Sequence, residues 1–177
     1  MRFLDFFGPA RAFVAGGNRL SANVTCPVGS TGNYPLAPAN LLAHFAKRVT
    51  VPFMDELPSV IVKYLDSYNN MEAPSLLACF TDDAAFEHVS GGATVRIVGK
   101  QALGEMARQG VEMFESRRQT VQRAIVSGDA IAIEIGFAAI VRTDLPNGWK
   151  KGQTVALRGA SFFRLRDGKI TELVDIS

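Results

Sequence analysis

VSGDAIAIEIGFAAIV, residues 126–141, decides how this chain folds. From Ala130 onward the run is rich in Ile and small residues. Only Glu134 is charged, and there is no Pro. Such β-branched stretches suit a pleated, half-buried strand better than a helix. Ser127-Gly128-Asp129 ahead of it is a tight connection, so the upstream residues fold back as a partner strand. In an extended chain Glu134 shares one face with Ala132, Gly136 and Ala138, all small.

Working toward the C-terminus, the same logic continues. Three long strands are expected, at about 118–127, 130–144 and 152–166. DLPNGWKKG (144–152) is the longer, polar link, and its Trp149 either covers a pocket or packs at a subunit edge. Asp167-Gly168 is a strong hairpin signal, and ITELVDIS (170–177) is the closing strand.

Working toward the N-terminus, the period changes. Leu57, Val60, Ile61, Tyr64, Leu65 and Tyr68 recur every three or four residues and make one helical stripe, which Asn69-Asn70 ends. Asp55 is the expected cap, with Pro58 in the first turn. Pro74 opens a second, short helix. DDAAFEHV and ATVRIVG then form a short hairpin around Ser90-Gly91-Gly92. QALGEMARQGVEMFES is a third helix, with Leu103, Met106, Ala107, Gly110 and Phe114 on its stripe. Helices first and strands after them give the α+β class. Strongly twisted long strands curl around helices, so the expected architecture is a cone-shaped, curved, mostly antiparallel sheet wrapped around three helices and enclosing a pocket.

Bulk properties narrow the partners. Of 177 residues, 47% are apolar and 20% charged. A net charge of +2 gives no concentrated basic face, so nucleic acid is not an expected partner. No run reaches the ~18 apolar residues of a membrane span, so no membrane association is expected. Residues 1–53 carry five basic residues against Asp5, a net +4. The remaining 14 basic and 16 acidic residues give the rest of the chain −2. With GGN and PVGSTGNYPLAPAN in it, the segment 1–53 is expected to be a flexible extension or an overcalled gene start, and 54–177 the domain. A short helix at 41–49 would carry His44. Cys26 and Cys79 match no metal spacing, and the expected compartment is a reducing cytoplasm. Asp82-Asp83 point to opposite sides of an extended chain, so no metal is expected there.

Three tokens carry a family likeness: KYLDSYNNMEAPSLLACFTDDAAFEHVSGG (63–92), IVGKQAL (97–103) and FFRLRDGKITEL (162–173). Together they resemble the nuclear transport factor 2-like superfamily, in its SnoaL-like and ketosteroid-isomerase-like branch, over roughly residues 56–176. The resemblance implies a small, mostly apolar molecule in the pocket, polyketide-cyclase or isomerase chemistry without a cofactor, and a homodimer formed through the sheet. In ketosteroid isomerase an Asp base works against an oxyanion hole of Tyr and protonated Asp. Carried over by residue, the tyrosine falls on Tyr64, the base position on His88, and the protonated acid near Ser161.

The residues themselves support these positions and leave alternatives. Ala84, Phe86 and His88 share a strand face, so His88 points into the pocket if Phe86 does. Otherwise it is a solvated residue at a strand end. Tyr64 is a phenol on an apolar stripe and either meets a ligand oxygen or is an ordinary core tyrosine. Ser161 shares a face with Leu157, Gly159 and Phe163. The expected catalytic set is His88, Tyr64 and Ser161. The expected ligand-binding set is Tyr68, Phe86, Phe114, Glu134 and Phe163. The alternative for Glu134 is an ion pair with Arg123 or Arg158. Two functions remain open: an acid–base enzyme acting on a small carbonyl compound, or a non-catalytic binding or dimerisation module of the same fold.

Overall fold

The computed structural model describes residues 57–177. The expected extension 1–53, with His44 and Cys26, lies outside the described residues, as does the expected cap Asp55. Three helices come first or between the early strands: α1 (Ser59–Asn69), α2 (Ala73–Leu77) and α3 (Lys100–Met113). Six strands form one sheet: β1 (Phe80–Ser90), β2 (Ala93–Val98), β3 (Phe114–Ser127), β4 (Ala130–Val141), β5 (Thr154–Arg166) and β6 (Lys169–Ile176).

The sheet order is β2-β1-β6-β5-β4-β3. The meander β3 to β6 is antiparallel throughout, and β1 joins it by pairing parallel with β6. The sheet is curved, mixed and not closed, and it belongs to the cone-shaped fold that the sequence led us to expect. Irregularities in register at Val121/Arg123 and Arg164/Leu165 are the bulges that help bend long strands. At the β5–β6 hairpin Asp167 has φ 52° and Gly168 φ 70°, the two positive angles that a tight primed turn needs.

Alternation sets the two faces. In β4 every odd residue from Ile131 to Val141 is buried, while the even ones are half-buried on the other side. The inner face packs against Ile61, Tyr64 and Leu65 of α1, Leu76 of α2, and Leu103 and Ala107 of α3. At about 25 cal/mol per Å² of apolar surface, this burial is the main force holding helices on the sheet. Gly104 in α3 permits close packing on α2, since a Cβ there would lie 2.9 Å from Leu77 Cδ1.

Two local expectations change. Phe114 does not continue the stripe of α3. Its backbone is extended (φ −120°, ψ 143°), and it begins β3. Trp149 is neither a cover over the pocket nor a surface residue at an edge. It is 2% exposed and packs with Leu145, Met113, Phe114 and Phe137 in a second small core. Its loop can form this core because Leu145 and Trp149 close on each other through a backbone bond of 2.8 Å.

Candidate functional site

A cavity of about 130 Å³ lies between the inner face of the sheet and the helices. An apolar cavity of this size holds roughly one six-membered ring. Besides Arg158 and Ser177, four elements contribute polar residues to its lining. The alternation of β1 points His88 inward beside Phe86. β6 contributes Asp175, two residues after buried Leu173. β3 contributes Arg117 and Gln119, and α1 contributes Tyr64 and Tyr68 one turn apart.

Strand register brings three polar residues into one rung. His88 pairs with Asp175 across the parallel β1–β6 ladder, and Asp175 pairs with Ser161 across β6–β5. Partners in register on adjacent strands present their side chains on the same face. The Ser161 hydroxyl donates to Asp175 Oδ1 at 2.5 Å, and Ser161 is only 1% exposed. On the other side, His88 Nε2 lies 3.4 Å from Ser177 Oγ.

Electrostatics separates the roles of these groups. Burial pushes the Asp175 carboxyl up to about 6, although the Ser161 hydrogen bond pulls the other way by favouring the charged form. The residue retains intermediate exposure, so it is a carboxyl in a cavity wall rather than one sealed in the core. Tyr64 is pushed well above the ordinary phenol value, first by burial and then by the nearby Asp175 charge. Tyr68 is raised for the same leading reason, while the Arg117 guanidinium pulls both phenols down. Both tyrosines therefore stay protonated at neutral pH and can donate. Among the described residues, the Tyr64 hydroxyl has no hydrogen-bond partner. The ring is fixed by edge contacts with Phe163 at 5.4 Å and Phe80 at 5.9 Å.

The third wall is braced by Asn69. β3 is an edge strand, and the Asn69 side chain serves as its missing neighbour. Asn69 Nδ2 donates to the Gln119 carbonyl at 3.0 Å, and Asn69 Oδ1 accepts from the Gln119 N–H at 2.7 Å. Arg117 Nε donates to the Tyr68 carbonyl at 3.2 Å, and its guanidinium carbon sits 3.9 Å from the centre of the Tyr68 ring. This stacking is an attractive cation–π contact.

A family model described as a SnoaL-like domain matches residues 61–173. The chain belongs to this family. Solved structures share the domain's fold at low identity. A hypothetical protein with a ketosteroid isomerase-like fold from Catenulispora acidiphila, in complex with trimethylamine, is 19% identical with a TM-score of 0.56. The alignment covers 67% of this chain and 84% of that one. A candidate polyketide cyclase from Xanthomonas campestris pv. campestris is 24% identical, with a TM-score of 0.53 and coverages of 67% and 87%. An LEH-like epoxide hydrolase from M. tuberculosis is 19% identical, with a TM-score of 0.54 and coverages of 67% and 80%. A comparison with curated proteins gives no match.

Within this SnoaL-like domain, Tyr64, Tyr68, Phe86, His88 and Phe114 all line the cavity. Ser161 stands behind Asp175 and touches the cavity through it. Phe163 buttresses the Tyr64 ring rather than lining the wall. Glu134 is a correction: it lies on the outer face of the sheet, paired with Arg158 and with Arg123 at 3.6 Å. The period of two that buries Ile133 and Ile135 necessarily turns Glu134 away from the cavity. Among the described residues, no group of His, Cys, Asp or Glu is arranged to hold a metal ion. Asp82 instead meets Lys100 at 3.3 Å, and Asp83 meets Arg166 at 2.5 Å. No helix among the described residues is long and apolar enough to cross a membrane.

Asp175, Arg117 and Gln119 are the residues that sequence reasoning missed. A signal existed for Asp175, which is an acid in phase with Leu173 in an alternating strand. Arg117 had none, because the pair Arg117-Arg118 at a helix–strand junction does not reveal which arginine points inward.

Proposed function

We propose that this SnoaL-like domain is a cofactor-independent acid–base enzyme that isomerises, cyclises or dehydrates a small, mostly apolar carbonyl compound. The observation that carries the reading is Asp175, a carboxyl in an apolar cavity wall with its pKa raised to about 6. A base poised near neutrality is suited to both taking and returning a proton. In the scheme, the C–H bond next to the substrate carbonyl breaks and its proton passes to a carboxylate oxygen of Asp175. The electron pair moves onto the carbonyl oxygen. The Tyr64 hydroxyl donates a hydrogen bond to that oxygen as its charge develops. Asp175, now an acid, delivers the proton to another carbon or to a departing hydroxyl. His88, in register with Asp175, is the second proton-carrying group, and Ser161 orients the carboxylate.

Deuterium exchange at the α-carbon of 2-cyclohexenone and 2-tetralone, followed by NMR in D2O, tests the scheme without knowledge of the natural substrate. Exchange above background that Asp175→Asn lowers by about 10²-fold or more supports it. Equal exchange by both proteins, at the buffer rate, leaves the domain a binding module.

The same proposal includes a homodimer through the outer face of the sheet. Support comes from one rung in which Ile125, Ala132, Phe162 and Val174 lie side by side, with Ile125 and Phe162 well exposed. A self-complementary apolar strip suits a twofold interface. Sedimentation equilibrium checks it: the full chain runs as a dimer and Phe162→Glu as a monomer, whereas a monomeric parent protein refutes the pairing.

A further inference from the structure

Arg117 is a cation in an apolar cavity wall, and it is 8% exposed. Among the described residues no carboxylate lies within ion-pair distance of it. Its Nε is committed to the Tyr68 carbonyl and its plane to the Tyr68 ring. Among the described residues, no hydrogen bond uses the donors of its terminal amino groups. Burying a guanidinium without a counter-charge is unfavourable by several kcal/mol unless something negative joins it.

The neighbouring inward residue on β3 is Gln119, which is 7% exposed. Its backbone is fully satisfied by Asn69, yet its side-chain Oε1 is buried without a partner. Buried acceptors in native proteins are nearly always paired, so an isolated one on a residue that lines the cavity is a candidate partner for a ligand donor. Residues two apart on a strand are separated by about 7 Å, a spacing that adjacent substituents of one ring can bridge.

We infer that Arg117 and Gln119 form the recognition end of the cavity, and that the ligand carries an acidic oxygen, as a carboxylate or ionised enol, beside an O–H or N–H donor. Arg117 takes the anionic oxygen through its terminal amino groups, in the fork geometry that favours carboxylates. Gln119 Oε1 accepts from the adjacent donor. The apolar remainder of the ligand lies against Phe86, Phe137 and Leu157. Tyr64 and Tyr68 sense both the Asp175 and the Arg117 charge, so both groups lie near the two phenols. The inference rests on the cavity being a small-molecule site and is independent of the proton-transfer step.

Calorimetric titration of the full chain at pH 7 with salicylate, benzoate and methyl salicylate tests it. Salicylate carries both groups, benzoate lacks the donor, and the ester lacks the anion. The expected order is salicylate tightest, benzoate several-fold weaker and the ester at least tenfold weaker. Arg117→Met removes the preference for acid over ester. Gln119→Leu removes only the preference for salicylate over benzoate. The wild-type ranking stands even if a variant fails to fold. An ester that binds as well as the acid overturns the ligand class while leaving the cavity as a binding site. Absence of binding by all three overturns both.

Discussion

Replacing Asp175 with Asn keeps the shape and the hydrogen bond from Ser161 but removes the titration. The folded-state pKa of about 6 lies above the ordinary carboxyl value of 3.8. The folded protein therefore holds a proton on this group over a pH range where the unfolded chain has released it. Its contribution is fully favourable below about 3.8, is lost as pH rises toward 6, and stays lost above that. At 1.36 kcal/mol per pH unit, the difference amounts to at most about 3 kcal/mol. Intermediate exposure of Asp175 brings the expected figure to about 1–3 kcal/mol. Urea unfolding of both proteins between pH 4 and 7.5, with equal m-values, isolates this term because all other titrations are shared. The stability of Asp175→Asn relative to wild type should climb by that amount across the window. A difference that is flat to within about 0.5 kcal/mol, or that falls with pH, would falsify the reading of Asp175 as a desolvated carboxyl.

Three further outcomes follow from the same geometry. Ser161→Ala deletes the one hydrogen bond that favours the charged carboxylate, so the Asp175 pKa should move above about 6 in a carbon-13 NMR titration, and an unchanged or lower value refutes the role given to Ser161. Asn69→Ala leaves the Gln119 N–H and carbonyl of an edge strand without their partners. It should reduce stability by about 1–3 kcal/mol in urea unfolding, and a loss below about 0.3 kcal/mol would mean that water replaces Asn69 without cost. Gly159→Ala puts a Cβ 2.5 Å from the Ile176 carbonyl oxygen, so β5 and β6 must separate and about 1–3 kcal/mol should be lost, with a neutral substitution ruling out that close approach.

The elements and their order were legible because each announces itself locally. The helical stripe through Ile61, Tyr64 and Leu65, the Ile-rich run of β4, and the turn at Asp167-Gly168 depend on neighbours in sequence. The site was legible in part. His88 and Tyr64 lie on faces that periodicity fixes, and the family likeness drew attention to both. Phe114 was assigned to the wrong element because a helical stripe and the first inward residue of the following strand coincide at that position.

The chain by itself determined the α+β class, the family, and which face of each long strand is apolar, since these follow from spacing along the backbone. Only the tertiary structure decided the pairing of β1 with β6, and with it the rung His88–Asp175–Ser161. Parallel pairing joins residues that are distant in sequence, and no local signal sets its register. The same holds for the raised carboxyl of Asp175 and for the charge of Arg117, which meets no carboxylate among the described residues. Burial belongs to the folded surroundings, where a low dielectric gives an ordinary Asp and an ordinary Arg their distinct chemistry.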